Sequence, residues 1–321
     1  MGLGLNSVSS RSLVPNPPAN NTTFIYTKIA TFMKKLRDYN FVVFGSTGWI
    51  GKNFINRLSS EDCKIFLFSH KKPKELFINN SRYESRPIQE ALDLNLQNVV
   101  LIDLAFPTKE KIKNLGDEEY INQIIDLEKI KKDFLIKNQV SNVFLSSSGA
   151  IYKGDNLYAL HKKKQEEFYI KSSKQQNFSL FIGRIFASIG PYYNKEEHYA
   201  FSSFMNSALN GETIYIKSPN NIERSYVFLP HLIEFVLDSI LQTNKKRTQI
   251  FDAVQINYEI RELAKIVAET YNVKIQENSQ FNKNNEANIY VSDDTTLINY
   301  LNKKNLSVSI TKNEILSSQL N

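Results

Sequence analysis

The chain alternates short apolar runs with longer amphipathic stretches. Phe41-Val42-Val43-Phe44 is a continuous apolar run, which predicts a strand buried on both faces. Beyond a glycine-rich turn, Trp49 to Leu58 places Ile50, Phe54, Ile55 and Leu58 on one helical face. Cys63 to Phe68 predicts the next strand, so residues 41–68 make a β-α-β unit. Residues 71–97 are polar and show no assignable period. Asn98 to Leu104 is a third apolar run, and Glu118 to Lys137 repeats Ile121, Ile124, Leu127, Ile130 and Phe134 at helical spacing. A strand at Val140 to Leu145 runs into Ser146-Ser147-Ser148, a helix follows at Tyr158 to Ser173, and a strand at Phe178 to Phe186. Strands alternating with helices predict an α/β fold with a doubly wound parallel sheet.

After Pro191 the segments shorten. The pattern predicts a helix at Phe201–Leu209, strands at Thr213–Lys217 and Tyr226–Leu229, and a helix at Pro230–Leu241. A strand at Gln249–Val254 and a helix at Ile260–Tyr271 come next, before a mixed polar tail from Val273. This reads as a smaller C-terminal α/β substrate lobe over the carboxyl edge of the sheet, with some elements returning to it. The expected organisation is an N-terminal arm at 1–38, a nucleotide-binding domain at 39–190 and the substrate lobe at 191–321. Met1 to Asn21 is rich in Ser, Asn and Pro and has nothing to bury. Thr23 to Tyr39 has the period of an amphipathic helix that would pack on the fold or on a second subunit.

The turn after the first strand carries the first chemistry. Gly45-x-x-Gly48-x-x-Gly51, between a buried strand and a helix, is a Rossmann-type arrangement for a dinucleotide pyrophosphate. The rival is a nucleoside triphosphate loop, suggested by Gly51-Lys52. It fails because Ser46 stands where a glycine is required and Asn53 where Ser or Thr is required. The second strand ends in Ser69-His70-Lys71-Lys72, with no acid before Glu75 to bind a ribose 2′-hydroxyl. Ser and Lys there suit a 2′-phosphate, which favours NADP over NAD.

Tyr158 and Lys162 lie four apart, on one helical face, and Ser148 ends the strand before them. A phenol beside an ammonium and a serine hydroxyl can exchange a proton with a substrate hydroxyl while hydride leaves the same carbon. A neighbouring ammonium together with a bound cationic nicotinamide is expected to favour the phenolate.

Composition narrows the alternatives. The 321 residues include 41% hydrophobic residues, enough for a sizeable core, and no run is long enough for a membrane span. One cysteine, Cys63, rules out an internal disulfide and is expected in a reducing cytoplasm. Met1-Gly2 lacks the Ser or Thr of a myristoylation signal at Asn6, and no secretory apolar region is present. The net charge of +7 suits an anionic ligand, but the lysines are dispersed, so nucleic acid is not the expected partner. The four histidines do not fall at metal-ligand spacing, and no metal site is expected.

These motifs together resemble the extended short-chain dehydrogenase/reductase family of NAD(P)-dependent nucleotide-sugar epimerases, dehydratases and reductases, over roughly residues 40–300. The resemblance implies cofactor contacts at Gly45, Thr47, Gly48, Trp49, Ile50 and Gly51, at Ser69, His70 and Lys71, and at Ala105, Phe106, Asn122 and Ile185. Ser146-Ser-Ser148-Gly-Ala-Ile-Tyr152 is similar to the family stretch that carries the catalytic hydroxyl, which maps onto Ser148, and Tyr158 and Lys162 match the catalytic Tyr and Lys. Arg224 matches an arginine that binds the substrate diphosphate; Tyr192-Tyr193 would either floor the sugar or base or pack within the small lobe. A homodimer through surface helices is also implied.

Three departures bear on the substrate. Only nine residues separate Ser148 from Tyr158, fewer than the usual loop lining the sugar pocket. Ala187 replaces the asparagine of an Arg-x-x-Asn turn. Gly149-Ala150 replaces the Asp-Glu pair of sugar 4,6-dehydratases, so water elimination by that scheme is not expected; the Cys and His pair of GDP-fucose synthase is also missing, with Ala150 and Tyr192 in its place. C4 epimerisation or reduction of a 4-keto sugar remains, and the short loop also leaves room for a reductase acting on something other than a nucleotide sugar. The alternative is a non-catalytic NAD(P)-binding sensor or scaffold of the same fold.

Overall fold

The computed structural model describes residues 35–69, 72–193, 199–242, 246–282 and 284–319. The predicted arm up to residue 34, His70, Lys71 and His198 lie outside the described residues.

The predicted β-α-β unit is β1 (Asn40–Phe44), α1 (Trp49–Leu58) and β2 (Lys64–Ser69). The polar stretch that follows forms a hairpin, β3 (Lys74–Ile78) and β4 (Ser81–Pro87). Its turn residues Asn79 and Asn80 both have positive φ, a conformation asparagine tolerates well. Most hairpin side chains face solvent, which explains the missing apolar signal. Then come β5 (Val99–Asp103), α2 (Glu110–Leu115), α3 (Asp117–Lys137), β6 (Val140–Ser148), α4 (Leu157–Gln176) and β7 (Ser179–Ile185). The remaining elements are β8 (Ala187–Ile189), α5 (Ala200–Leu209), β9 (Ile214–Ile216), β10 (Ile222–Phe228), α6 (Leu229–Leu241), β11 (Thr248–Ala253), β12 (Ile256–Glu259), α7 (Ile260–Tyr271), β13 (Ile275–Glu277), β14 (Asn288–Tyr290), α8 (Thr296–Lys303) and α9 (Lys312–Ser317).

The main sheet has eight strands in the order β11-β7-β6-β5-β1-β2-β4-β3. All neighbours are parallel except β3 against β4. Strand order reverses between β1 and β5, which in such sheets opens a crevice at their carboxyl ends. Alternate residues of β1 serve two cores. Phe41 and Val43 pack with α1 and α6, while Val42 and Phe44 pack with Ile130 and Phe134 of α3 and Tyr169 of α4.

β11 joins the main sheet beside β7, and Tyr192, Leu232 and Val236 share a core with Phe41 and Phe54. Elements that follow residue 190 thus share the main sheet and its core. A third core unites α5, α7, β9 and β10, and Trp49 of α1 packs against it. A second sheet, β12-β10-β14 with β8 beside β10, completes the smaller lobe.

Candidate active site

The glycine turn is set by steric necessity. Gly45 has φ +79°, and a Cβ there would stand 2.9 Å from the Leu104 carbonyl carbon. A Cβ on Gly51 would meet the Gly45 oxygen at 2.5 Å, so α1 can approach β1 this closely only with glycine. Gly48 is the N-cap of α1 and has no side chain with which to cap it. Its N-terminus, with no acid in the first turn, opens on a cleft of about 1430 Å³. Backbone donors and the positive end of the helix dipole favour an anion at that point.

The turn is braced from both lobes. Gly45 N donates to Phe68 O at 2.8 Å. Trp49 Nε1 and Asn53 Nδ2 both donate to Pro191 O, at 2.8 and 2.7 Å, and the Trp49 ring stacks on Phe201. Gly45, Gly48, Trp49, Ile50 and Gly51 line the cleft; Thr47 does not.

Ser148, Tyr158 and Lys162 line the same cleft. β6 is almost wholly buried and delivers Ser148 to its carboxyl end. Asn156 caps α4 by accepting from Ala159 N at 3.0 Å, which starts the helix just before Tyr158. The Ser148 hydroxyl hydrogen-bonds the phenols of both Tyr158 and Tyr290 and accepts from Ala150 N at 3.2 Å. Lys162 Nζ donates to Ser146 O at 2.9 Å and to Gln165 Oε1 at 3.3 Å. Phe106 lies over that ammonium, 4.2 Å from ring centre to Nζ, and meets Tyr158 edge-on.

Burial pushes the Tyr158 phenol above its ordinary value; the Ser148 bond opposes the rise and Glu110 adds to it. Lys162 is pushed down to about 7, first by burial, then by repulsion from Lys131, against the pull of Asp103 and Glu166. The Lys162 ammonium is turned to the Ser146 carbonyl, and burial disfavours the Tyr158 phenolate.

Because Lys162 drops to about 7 from 10.5, the unfolded chain holds that proton across roughly pH 7 to 10 where the folded chain does not. Stability from this group therefore rises with pH through that window, and the penalty is complete below it. Lys162→Met is expected to raise the melting temperature at neutral pH, with the gain shrinking towards pH ~10. Thermal melts across that range check it; a gain independent of pH would contradict the assignment.

Beneath the site lies a buried ion pair. Asp103 and Lys131 are both buried, with Lys131 Nζ 2.8 Å from Asp103 Oδ2. Lys131 also donates to Ala105 O at 2.6 Å, and Tyr169 donates to Asp103 Oδ2 at 2.7 Å. The pair holds the turn that carries Phe106. On its other side, Glu166 accepts from Ser147 at 2.5 Å and forms a two-pronged pair with Arg184.

Other expected contacts fall differently. Phe106 and Ile185 line the cleft, whereas Ala105 is half-buried behind it and its carbonyl is taken by Lys131. Asn122 is exposed on α3, because that helix buries Tyr120, Ile124, Lys131 and Phe134, and Asn122 is two residues, about 200°, from Tyr120. Ser69 is buried, and its hydroxyl meets Ser85 Oγ at 2.8 Å, which in turn meets Ser46 Oγ at 2.7 Å. That chain of hydroxyls keeps Ser69 out of the cleft. Tyr192 is not a pocket floor: at φ +62° its ring is buried in the core and its hydroxyl donates to Asn56 Oδ1 at 3.0 Å. Arg224 does line the cleft, and its guanidinium donates to Asn288 O and Oδ1.

Tyr290 is a cleft residue that sequence reasoning missed. β14 lies parallel to β10 and sets Tyr290 opposite Arg224. Burial pushes its phenol up to about 12.

The profile of the NAD dependent epimerase/dehydratase family matches residues 41–252. The chain belongs to this family. Among solved structures, it is similar to the UDP-N-acetylglucosamine 4-epimerase of Methanobrevibacter ruminantium in complex with UDP-N-acetylmuramic acid, at 16% identity and TM-score 0.63, covering 87% of this chain and 96% of that one. It is also similar to the Thermus thermophilus UDP-glucose 4-epimerase complexed with NAD, at 14% identity and TM-score 0.60, covering 87% and 97%. A dTDP-glucose 4,6-dehydratase of Streptomyces venezuelae with NAD bound gives 13% identity and TM-score 0.62, covering 87% and 96%. At these identities the likeness shows a shared fold. A search of the curated proteins finds no significant match. The glycine-capped helix end, the two glycines that cannot take a Cβ and the crevice at the strand-order reversal fit a dinucleotide. Among the described residues no helix is long and apolar enough to cross a membrane, and no group of three or more His, Cys, Asp or Glu is placed to hold a metal.

Proposed function

We propose that the chain is an NAD(P)-dependent oxidoreductase or epimerase acting on a nucleotide-activated sugar, by C4 epimerisation or reduction of a 4-keto sugar. The observation that carries this reading is the convergence of Ser148, Tyr158 and Lys162 on one wall of the cleft into which the Gly45–Gly51 turn opens. When bound, the dinucleotide would supply the hydride donor or acceptor. Gly45, Gly48, Trp49, Ile50 and Gly51 would hold its pyrophosphate at the N-terminus of α1. Phe106 and Ile185 would border it further along the cleft.

Tyr158 gives a proton to the reacting sugar oxygen or takes one from it. Ser148, already bonded to Tyr158, holds that same oxygen. A phenol that rests neutral is ready to donate, which suits the reductive half of the chemistry. Arg224, anchored on Asn288, faces the cleft with a guanidinium suited to a diphosphate. The absence of an acid at the end of β2 supports NADP over NAD. The reading includes a homodimer through the outer faces of α3 and α4, where Ile125, Ile136 and Leu160 are exposed.

The test is to incubate the protein with NADPH, NADP, NADH or NAD and a panel of nucleotide sugars and 4-keto sugars, following products by mass and proton spectra. Conversion of at least one sugar is expected. Binding of dinucleotide with no conversion of any member would favour the sensor or scaffold instead.

A further inference from the structure

We propose that Gln165 is a positioning residue for Lys162: its amide, oriented by the buried Asp103–Lys131 pair, fixes the direction of the Lys162 ammonium in the cleft; the inference rests on the part given to Lys162 in the reading above. Lys162, Gln165, Glu166 and Tyr169 recur at helical spacing and share one stripe of α4. A helical stripe packed on a sheet is ordinarily apolar. This one is polar, and each member finds a partner near the carboxyl ends of the strands. Lys162 donates to Ser146 O, and Glu166 accepts from Ser147 and Arg184. Gln165 and Tyr169 both donate to Asp103 Oδ2.

The amide of Gln165 joins a carboxylate to an ammonium. Its Nε2 donates to Asp103 Oδ2 at 3.4 Å, and its Oε1 accepts from Lys162 Nζ at 3.3 Å. Asp103, paired with Lys131 at 2.8 Å, meets donors on every side: Lys131 Nζ, Tyr169 OH and Ala105 N. The reversed amide would set oxygen against that carboxylate and NH2 against the Lys162 ammonium, with no donor matched to an acceptor at either end. The ion pair therefore selects the orientation that offers Lys162 an acceptor.

A lysine ammonium carries three N–H donors on a flexible stem. Two are held here, by Ser146 O and Gln165 Oε1, and the Phe106 ring lies 4.2 Å from Nζ. Fixing two directions fixes the third, and Lys162 lines the cleft beside Tyr158. With Ser146 O alone, the ammonium would turn about that one bond. The charged groups facing Lys162 are Asp103 on β5, Lys131 on α3 and Glu166 on α4, with the Tyr158 phenol one turn before it; β6 presents a carbonyl and no charge. Gln165 thus supports the charged form by hydrogen bonding alone.

The test reads the Lys162 proton directly. The full chain is labelled with lysine carrying carbon-13 at Cε, and the Lys162 signal, assigned by its loss in Lys162→Met, is followed against pH. Gln165→Met keeps the length and helix propensity of the side chain and removes the amide. Gln165→Glu supplies the acceptor with a negative charge, and thermal melts check that both variants fold. Wild type should titrate at about 7. Gln165→Met should move the midpoint down by about one pH unit or more, the range for one hydrogen bond to a charged group. Gln165→Glu should move it up. With a sugar that the chain converts, Gln165→Met should lower kcat by about 10-fold with the sugar KM unchanged. A midpoint unmoved in both variants, or moved the same way in both, overturns the proposal and leaves the oxidoreductase reading intact. Opposite shifts in a chain that converts no sugar keep Gln165 as the residue that orients Lys162 and overturn that reading instead.

Discussion

Tyr158→Phe is expected to bind dinucleotide as wild type does and to lose turnover by about 10²- to 10⁴-fold, the range for a positioned general acid or base. The substitution removes one oxygen and keeps the ring that meets Phe106 edge-on. Ser148 retains its bonds to Ala150 N and Tyr290, so the wall of the cleft should survive. The pH dependence separates the two directions. Because burial raises the Tyr158 phenol, the proton-donating form persists through neutrality and beyond. Ketone reduction should therefore stay level through the neutral range and fall only at alkaline pH. Alcohol oxidation needs the phenolate and should climb with pH over the same range. Rates in each direction, with dinucleotide affinity measured in parallel, check the expectation. A variant as active as wild type would remove Tyr158 from the chemistry.

Lys131→Met is expected to cost about 3–5 kcal/mol, the range for removing one partner of a buried pair. Asp103 would keep its bonds from Tyr169 and Ala105 N but would lose the cation in direct contact with it. The Ala105 carbonyl would lose its 2.6 Å donor, loosening the turn beside Phe106. With the repulsion from Lys131 gone and Asp103 still present, Lys162 should titrate higher. The double variant Lys131→Met/Asp103→Asn removes both charges and keeps an acceptor for Tyr169, so most of the lost stability should return. Denaturant unfolding of the three variants measures this. A single variant within about 1 kcal/mol of wild type would show that the pair does not act as a unit.

The parts of the molecule legible in the sequence are those with a period. β1 is buried on both faces, so it reads as an unbroken apolar run; α1, α3 and α7 each keep one apolar stripe. The β3–β4 hairpin was not legible because its strands lie at the sheet edge and face solvent. Ser148, Tyr158 and Lys162 were legible because spacing along α4 and the end of β6 fixes their neighbourhood. Tyr290 was not, because its place depends on β14 pairing with β10, a contact 64 residues apart between Asn288 and Arg224. Asn122 misled because helix phase decides which way a residue points. Tyr120 and Lys131, eleven residues apart, take the inner face, and a lysine there carries no apolar signal.

The Pro191 carbonyl receives two donors from α1, Trp49 Nε1 and Asn53 Nδ2. The N-terminal turns of α1 are thus tied to the segment that follows β8. The lobe is not a cassette. Grafting residues 191–321 from a relative to change sugar preference would also need to transplant Trp49 and Asn53, along with the Phe201 face on which the indole stacks. Recombination at residue 190 cuts through a joint, and chimeras are better divided where fewer bonds cross.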